Sequence, residues 1–356
     1  MKRIAIFQSD LGVGGIQKSL VNLLKNIDYS RFRVDLFLSE RTNFFTADFP
    51  PELNISYLPK IPRVYSFLPF DIARGQIRFD FPERVVYDLA IDFNSYQCSC
   101  AVGATSVPAK KRVMWIHNDV RIKLRNEWKY RVLWHFFKGK FKYYDAFVPV
   151  SAALEGPFRA MSGVRDKPFT VIQNFIDVED IRRKAEDEPE GLALDPACIN
   201  FVALGRLCHQ KGYDLMLDLF AKAHALRGDL RLYIIGDGQD RAALEKQRDE
   251  LGLGEVVTFL GNQPNPYCFM KRMDAFLSTS RYEGQPLNIM EAMAVGLPLY
   301  CAKNLEQYTE GLQGYEDLVP ALISAQKAAL HPDDLKHYNG KILARIAALA
   351  GDADTV

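Results

Sequence analysis

The 356-residue chain lacks long apolar runs, paired cysteines and low-complexity segments. No apolar run reaches the roughly 20 residues that a helix needs to cross a bilayer. The N-terminus passes directly into the strand pattern Ile4–Phe7, so we expect no signal sequence. The six cysteines are scattered, and none has the C-x-x-C spacing of a zinc site. We therefore expect a cytoplasmic protein with reduced thiols.

Metal-binding patterns are equally scarce. The only D-x-D string, Asp352-Ala353-Asp354, lies close to the C-terminus and does not follow a strand pattern. Chain ends are usually poorly ordered and offer a weak scaffold for an ion. The sequence therefore predicts no metal site.

Short β-branched and aromatic runs alternate with helical stretches along the chain. In the first half the predicted strands are Ile4–Phe7, Val34–Leu38, Val85–Phe93, Val113–Ile116, Ala146–Val150 and Phe169–Ile172. In the second half they are Phe201–Leu204, Leu230–Ile235, Val256–Leu260, Ala275–Ser278 and Leu297–Cys301. This alternation is typical of parallel sheets covered by helices on both faces. Because the chain is too long for one ordinary core, we predict two α/β domains.

A polar, acidic stretch from Asp177 to Pro196 marks the boundary between these domains. We predict an N-terminal domain over residues 1–178 and a C-terminal domain over residues 179–330. Residues 331–356 then supply a helix, Pro332–Leu349, and a tail, which could pack back on the N-terminal domain.

Charge is distributed unevenly, although the net charge is only +1. Residues 1–178 carry 26 basic and 17 acidic side chains, whereas residues 179–356 carry 19 and 27. Most of the positive excess lies in residues 110–142, where eleven Lys and Arg residues are interleaved with aromatic residues. This basic-aromatic stretch either docks on an anionic membrane surface or is a solvated face above core aromatics.

In open α/β sheets, ligands bind beyond the carboxyl ends of the strands, so the loops there are candidate sites. After the first strand, Gly14 and Gly15 form a turn that opens a helix. Backbone amides and a helix N-terminus favour a phosphate there, although a plain strand-to-helix turn also uses glycine. Gln17 replaces the last glycine of the dinucleotide fingerprint G-x-G-x-x-G, which argues against an NAD-type site.

Two cations, Arg206 and Lys211, lie five residues apart in the loop after the strand Phe201–Leu204. Fixed positive charge in this loop would stabilise a departing diphosphate. The alternative interpretation is that both side chains are ordinary solvated cations. Gly236 and Gly238 form a further glycine turn between a strand and a helix. We expect this turn to line the same pocket.

The most informative segment is Glu283–Pro298, directly after the fourth predicted strand of the second domain. Its proline suits the first turn of a helix, and Gly296 suits the C-terminal cap. Glu283 then precedes the helix, and Glu291 lies about one turn inside it. Carboxylates flanking free helix amides can bind sugar and ribose hydroxyls and a phosphate. The residues that open the helix are therefore expected to contribute to donor binding: Pro286, Leu287 and Asn288.

These motifs together closely resemble those of the family 4 retaining glycosyltransferases. They are Gly14-Gly15, Gly205-Arg206-Leu207 with Lys211-Gly212, Gly236-Asp237-Gly238, and Glu283 with Glu291 eight positions later. The resemblance covers nearly the whole chain and is most specific in the second domain. It implies the GT-B fold, in which two Rossmann-like, doubly wound domains face each other across a cleft.

The resemblance also implies a role for each motif. Glu283 would contact the donor sugar and Glu291 the nucleotide ribose, while Arg206 and Lys211 would bind the diphosphate. Gly14 and Gly15 would bring first-domain amides to the same phosphates.

His117 would lie near the reacting face of the sugar, although a histidine at a strand end is more often structural. Beyond Pro298 the sequence departs from the family pattern, so neither Glu306 nor Glu310 is assigned a ligand.

The implied activity is the retaining, metal-independent transfer of a sugar from a nucleotide sugar, with a UDP-sugar favoured and no cofactor. The acceptor would be a glycan or a lipid-linked saccharide in cell-surface polysaccharide assembly, and no nucleic acid is involved. The enzyme would be cytoplasmic or peripheral on the inner face of the membrane. The alternatives are a sugar-nucleotide epimerase or phosphorylase on the same fold and a catalytically degenerate binding protein.

Overall fold

The computed structural model describes residues 1–12, 14–42, 49–81, 85–94, 96–126, 128–332 and 335–352, without the side chains of Lys129 and Lys336. The chain forms two units. The first unit comprises Met1–Phe175 and the chain from His337 onward, and the second comprises Ile176–Lys336. Each unit is an α/β structure around a sheet of parallel strands. Val13 of the glycine turn and Asp354 of the D-x-D string lie outside the described residues.

In the described part of the first unit, six strands pair in the order β3-β2-β1-β4-β5-β6. They are β1 (Lys2–Gln8), β2 (Phe32–Leu38), β3 (Asn54–Tyr57), β4 (Tyr87–Asp92), β5 (Ala109–Ile116) and β6 (Ala146–Pro149). The central strands are apolar on both faces, which is typical of a parallel sheet covered by helices. The sheet therefore extends in two directions from its centre, with β2 and β3 beyond β1 and with β5 and β6 beyond β4.

The helices of the first unit follow these strands. They are α1 (Gly15–Asn26), α2 (Phe70–Gln76), α3 (Cys98–Ser106), α4 (Val120–Asn126), α5 (Trp128–Phe137), α6 (Glu155–Ser162) and α13 (Lys336–Leu349), of which α13 begins at the last residue of the second unit. From α13, Tyr338 donates a hydrogen bond to the Asn174 carbonyl at 2.9 Å. Arg345 donates another to the Val171 carbonyl at 2.6 Å. The C-terminal helix is therefore tied to the end of the first unit.

In the second unit, as far as the structure describes it, five strands pair in the order β11-β10-β7-β8-β9. They are β7 (Ile199–Leu204), β8 (Leu230–Ile235), β9 (Val257–Gly261), β10 (Ala275–Ser278) and β11 (Leu299–Cys301). Its helices are α7 (Val178–Ala185), α8 (Tyr213–Leu226), α9 (Arg241–Glu250), α10 (Pro266–Lys271), α11 (Leu287–Val295) and α12 (Leu318–Ile323). Because β8 and β9 lie on one side of β7 and β10 and β11 on the other, the topological switch point falls between β7 and β10.

One first-unit strand prediction was wrong, and one strand was missed. Phe169–Ile172 is not a strand but makes an isolated bridge to β6, with Thr170 donating to the Phe147 carbonyl at 3.0 Å. The edge strand β3 was not predicted because its short sequence, Asn54-Ile55-Ser56-Tyr57, is polar and half-exposed. The last helix begins at Lys336 rather than at the predicted Pro332.

All six cysteines are free, and five of them are buried. Asp352 of the D-x-D string forms an ion pair with Arg31 at 2.6 Å within the first unit. Within the described residues, no helix combines the length and the apolar character that crossing a membrane requires.

Candidate functional site

The loops that follow β7 and β10 meet at the switch point of the second unit. Gly212 closes the first loop with φ of 66°, and a Cβ there would lie 2.4 Å from the Thr279 carbonyl oxygen. The Thr279 hydroxyl in turn donates to the Gly212 carbonyl at 2.9 Å. Only glycine allows this close approach of two backbones. The packing brings residues more than 60 positions apart in sequence into one site.

Lys211 and Glu283 form an ion pair across these two loops. The Lys211 Nζ to Glu283 Oε1 distance is 2.7 Å, and Glu283 is only 5% exposed. The Gln210 amide, which the sequence did not single out, donates to Glu283 Oε2 at 3.2 Å and to the Tyr282 carbonyl at 3.1 Å. Both carboxylate oxygens therefore have donors, which a buried charge requires.

Arg206 lies in the loop after β7 but is exposed. Among the described residues it has no hydrogen-bond or ion-pair partner, in contrast to Lys211. A free guanidinium offers a planar fork of donors that matches phosphate oxygens. The structure therefore leaves Arg206 available for a ligand but does not itself bring it to Glu283.

Helix α11 carries the second carboxylate. Pro286 precedes its first turn, and Gly296 ends it with φ of 95°, as the sequence predicted. The first N–H groups of a helix have no carbonyl partner within it, so those of Leu287 and Asn288 point out of the N-terminus. The Asn288 side chain is buried and donates to the Leu204 carbonyl at 2.7 Å, which ties α11 to the end of β7.

Glu291 is 3% exposed and accepts a hydrogen bond from the Tyr267 hydroxyl at 3.1 Å. Tyr267 belongs to α10, which begins directly after its cap Asn265, and the sequence did not predict the contact of Tyr267 with Glu291. Burial, and then the nearby Glu291 charge, raise the pKa of Tyr267 well above its usual value. The phenol thus stays protonated and can keep donating to the carboxylate.

The glycine turn after β8 packs against the loop after β7. A Cβ on Gly236 would lie 2.1 Å from the Gly205 carbonyl oxygen, and one on Gly238 would lie 2.3 Å from the Leu207 carbonyl oxygen. Leu207 also donates its N–H to the Asp237 carbonyl at 3.0 Å. The close packing of these two loops therefore explains why both positions are glycine, whether or not a ligand binds there.

In the first unit, α1 begins at Gly15, directly after the glycine turn. Gly14 is extended, with φ of 173°, and no side chain caps the helix at this position. The Asp10 carboxylate accepts hydrogen bonds from the Gly12 N–H at 2.8 Å and from the Gln17 amide at 3.2 Å. The Asp10 carboxylate thus stabilises the turn. The first N–H groups of α1 have no carbonyl partner within the helix.

His117 follows β5 and is 5% exposed. Its Nε2 lies 2.9 Å from the Phe93 carbonyl oxygen. Because a carbonyl can only accept, Nε2 carries the proton and Nδ1 is the acceptor of the ring. Burial lowers the pKa of His117 to about 4, so the imidazole is neutral at physiological pH.

Beyond α11, Glu306 has a local structural partner. It accepts the Gly314 N–H at 2.7 Å, which holds the loop after β11.

A family model described as Glycosyltransferase Family 4 matches residues 13–180, and one described as Glycosyl transferases group 1 matches residues 184–315. Together they span most of the chain and both of its units.

Two curated proteins match about half of the chain each. LpsB of Rhizobium meliloti, a lipopolysaccharide core biosynthesis mannosyltransferase, is 29% identical over 48% of this chain and 48% of its own length. A Campylobacter jejuni N-acetylgalactosaminyltransferase, named for a sugar-diphospho-undecaprenol, is 29% identical over 52% of this chain and 51% of its own length. The chain thus spans about half the length of these curated relatives.

Among solved structures, HepE of Anabaena in complex with UDP matches with a TM-score of 0.69 at 20% identity. The match covers 99% of this chain and 100% of HepE. This similarity confirms the predicted GT-B fold. On the two family models, the chain belongs to glycosyltransferase family 4.

Proposed function

We propose that this chain transfers a sugar from a nucleotide sugar, with a UDP-sugar favoured, to a saccharide acceptor. The observation that carries the proposal is the pair of buried carboxylates around α11. Glu283 is held by Lys211 at 2.7 Å and Glu291 by Tyr267 at 3.1 Å. They flank free helix amides at a topological switch point, where α/β sheets bind ligands. The UDP bound to HepE, a protein of the same fold, supports the choice of nucleotide.

In this proposal the diphosphate binds at the N-terminus of α11. The helix amides and the unpaired Arg206 supply charge complementarity, and Lys211 exchanges its contact with Glu283 for a phosphate oxygen. Glu291 accepts hydrogen bonds from the ribose hydroxyls. Glu283 accepts one from the donor sugar, whose hydroxyl replaces the ammonium group.

In the first unit, amides at Gly14 and Gly15 would bind a phosphate at the N-terminus of α1, and Nδ1 of neutral His117 would accept a hydrogen bond from a sugar hydroxyl. Because its pKa is about 4, His117 cannot serve as a proton donor near neutral pH. We assign it binding of the sugar rather than acid catalysis.

We infer a retaining reaction in which the acceptor oxygen attacks the face that the diphosphate leaves. The new C–O bond forms as the anomeric C–O bond to the diphosphate breaks, and the acceptor proton passes to a leaving phosphate oxygen. Arg206, Lys211 and the α11 amides would stabilise the charge that develops there. One such fixed donor contributes about 3 kcal/mol to transition-state stabilisation. In this scheme no metal ion or cofactor is required.

The acceptor we propose is a glycan or lipid-linked saccharide in cell-surface polysaccharide assembly. Two relatives support this class: one is named for lipopolysaccharide core synthesis and the other for a sugar on diphospho-undecaprenol. An acceptor of this kind would place the enzyme at the inner face of the membrane.

The rival enzymes make different products. An epimerase would pass no sugar to an acceptor, and a phosphorylase would require inorganic phosphate. A degenerate binding protein would have no reason to retain Arg206, Lys211, Glu283 and Glu291 together.

The proposed function is tested by incubating the protein with a panel of labelled nucleotide sugars and a membrane extract. We expect one donor to give nucleoside diphosphate together with a labelled lipid or glycan, undiminished by EDTA. NMR of the product gives the anomeric configuration. Epimerised donor, or dependence on added phosphate, would instead support a rival.

We further propose that the first unit docks on anionic membranes. The structure divides the basic-aromatic stretch: most of its aromatic rings are buried, and Lys140 is buried 3.9 Å from Asp92. Trp128 on α5 is however 65% exposed, and Val132 on the same face is 44% exposed. This stretch therefore contains both buried core aromatics and an exposed face that is apolar and basic.

A neighbouring short helix, Arg63–Phe67, extends this face. It contacts α5, and Tyr65 and Leu133 pack on the same core cluster. Its Val64 and Phe67 are 60% and 53% exposed. We call the combined patch the basic-apolar surface; it comprises Arg63, Val64, Phe67, Trp128, Arg131 and Val132. Exposed aromatic and aliphatic groups among cations suit an anionic lipid interface.

A further inference from the structure

The loop between β10 and α11, residues 279–286, carries Glu283. Two residues before it, Arg281 donates its backbone N–H to the Gln210 carbonyl at 2.8 Å. Its guanidinium donates to the His209 carbonyl at 2.9 Å. Both acceptors lie in the loop after β7, which also carries Lys211. Arg281 thus links the two loops whose side chains form the ion pair of the site.

The Arg281 guanidinium also binds Asp214 at the start of α8. Its Nη1 lies 2.7 Å from Asp214 Oδ1, and its Nη2 lies 2.5 Å from Asp214 Oδ2. These hydrogen bonds hold the pKa of Asp214 below its usual value. A two-point fork fixes orientation as well as distance. Asp214 lies in the first turn of α8, which is anchored in the core through Tyr213 and Met216.

This pair is poorly placed to stabilise the fold. The Arg281 and Asp214 side chains are 24% and 44% exposed, and ion pairs that solvent reaches in this way add little to stability. Its geometry is nevertheless specific, because it joins a core helix to both loops of the site.

We propose that Arg281 is a positioning residue for the transfer reaction. Paired with Asp214, it fixes the 279–286 loop so that the Glu283 carboxylate lies beside Lys211 before the donor binds and in reach of the donor sugar afterwards. The inference rests on the proposed function, because the position of Glu283 matters for turnover only if Glu283 meets that sugar. A displacement of about 1 Å at a reacting centre can lower turnover about 100-fold.

The test compares Arg281→Ala with a matched control, Arg227→Ala. Arg227 also pairs with an aspartate, Asp229, at 2.7 Å, and it donates to the Ile323 carbonyl at 2.7 Å. It precedes β8, at the opposite end of the sheet from the site. Transfer kinetics, the Kd for UDP alone and a crystal structure of each variant are measured.

For Arg281→Ala we expect kcat to fall about 100-fold and the Kd for UDP to stay within twofold, because Glu283 contacts the sugar and not the nucleotide. Arg281→Lys, which keeps the charge but not the fork, should recover only part of the rate. Arg227→Ala should turn over within twofold of the wild type. In Arg281→Ala crystals the Lys211–Glu283 distance should exceed 4 Å.

Wild-type turnover by Arg281→Ala would overturn the inference, and so would a Lys211–Glu283 ion pair kept at 2.7 Å in that variant. A wild-type protein that transfers no sugar contradicts the proposed function instead. The distance in the variant crystals tests the positioning role in that case too.

Discussion

The Tyr267 phenol holds the buried Glu291 carboxylate inside α11 at 3.1 Å. Removing the hydroxyl in Tyr267→Phe would leave a carboxylate oxygen without this donor. Hydrogen bonds to charged groups contribute about 1.5 kcal/mol or more, so we predict that the Kd for UDP rises about tenfold. Isothermal titration calorimetry measures this change.

Tyr233→Phe is the matched control, because the Tyr233 hydroxyl also donates within the second unit, to the Ala193 carbonyl at 3.3 Å. Its affinity for UDP should equal that of the wild type. Equal affinities for the wild type and Tyr267→Phe would show that Glu291 does not contact the nucleotide.

His117 makes the stability of the first unit depend on pH. Its pKa is about 4 in the folded chain and near 6.5 when unfolded, so the unfolded state binds the extra proton first as pH falls. Stability from this group is therefore present above pH 6.5 and lost toward pH 4. Between pH 7 and pH 5 the loss should be about 2 kcal/mol.

His117→Gln should remove that part of the pH dependence and keep a donor for the Phe93 carbonyl. Urea unfolding can be followed by tryptophan fluorescence, since all three tryptophans, Trp115, Trp128 and Trp134, lie in the first unit. Identical pH profiles for the two proteins would contradict the buried, neutral imidazole.

At the scale of elements, the turn after β8 depends on glycine. Gly236 has φ of 133° and would place a Cβ 2.1 Å from the Gly205 carbonyl oxygen. Gly236→Ala should destabilise the second unit by about 3 kcal/mol through strain and overpacking. It should also weaken UDP binding, because it displaces the loop that carries Arg206 and Lys211.

Gly252→Ala is the control that introduces backbone strain without displacing a neighbouring loop. Gly252 also has positive φ, 71°, but a Cβ there would meet nothing within 4 Å. We expect it to lower the free energy of unfolding by about 1 kcal/mol with unchanged UDP affinity. Circular dichroism with urea gives the stabilities, and equal effects of both substitutions would refute the close-packing argument.

Sequence rules predicted the elements of the second unit well, because each is encoded locally. The boundaries of α11 follow from Pro286 and Gly296, and the strands of this unit are apolar runs bounded by turns. The first unit was harder. There β3 is a polar edge strand, and Phe169–Ile172 looks apolar but pairs through a single bridge.

The sequence predicted several residues of the candidate site but not which residues contact each other. The sequence singled out Lys211 and Glu283 separately, yet their ion pair joins residues 72 positions apart. No local rule selects Gln210 or Tyr267 as partners of the two glutamates. Such pairings follow from strand order, which brings β7 beside β10.

At the scale of the whole molecule, the basic-apolar surface predicts binding to membranes. Wild-type protein should cosediment with vesicles rich in phosphatidylglycerol, and the bound fraction should fall as salt rises. Replacing two of its exposed apolar groups, Phe67→Ser with Trp128→Ser, should weaken partitioning at least tenfold. Burial of one such side chain is worth about 2 kcal/mol.

The control is Leu226→Ser, since Leu226 is 72% exposed but belongs to the second unit and not to this surface. It should bind vesicles like the wild type. Cosedimentation that is absent, or that salt does not weaken, would remove the membrane proposal while leaving the transfer reaction untouched.

The central claim is that Glu283 acts on the donor sugar while Lys211 serves the diphosphate. The most direct measurement compares sugar transfer and UDP binding for the wild type and Glu283→Gln, with Glu245→Gln on α9 as the control. We predict that Glu283→Gln lowers kcat at least 100-fold. UDP should bind it at least as tightly, because Lys211 is released from its ion pair. Wild-type turnover by Glu283→Gln would contradict the account.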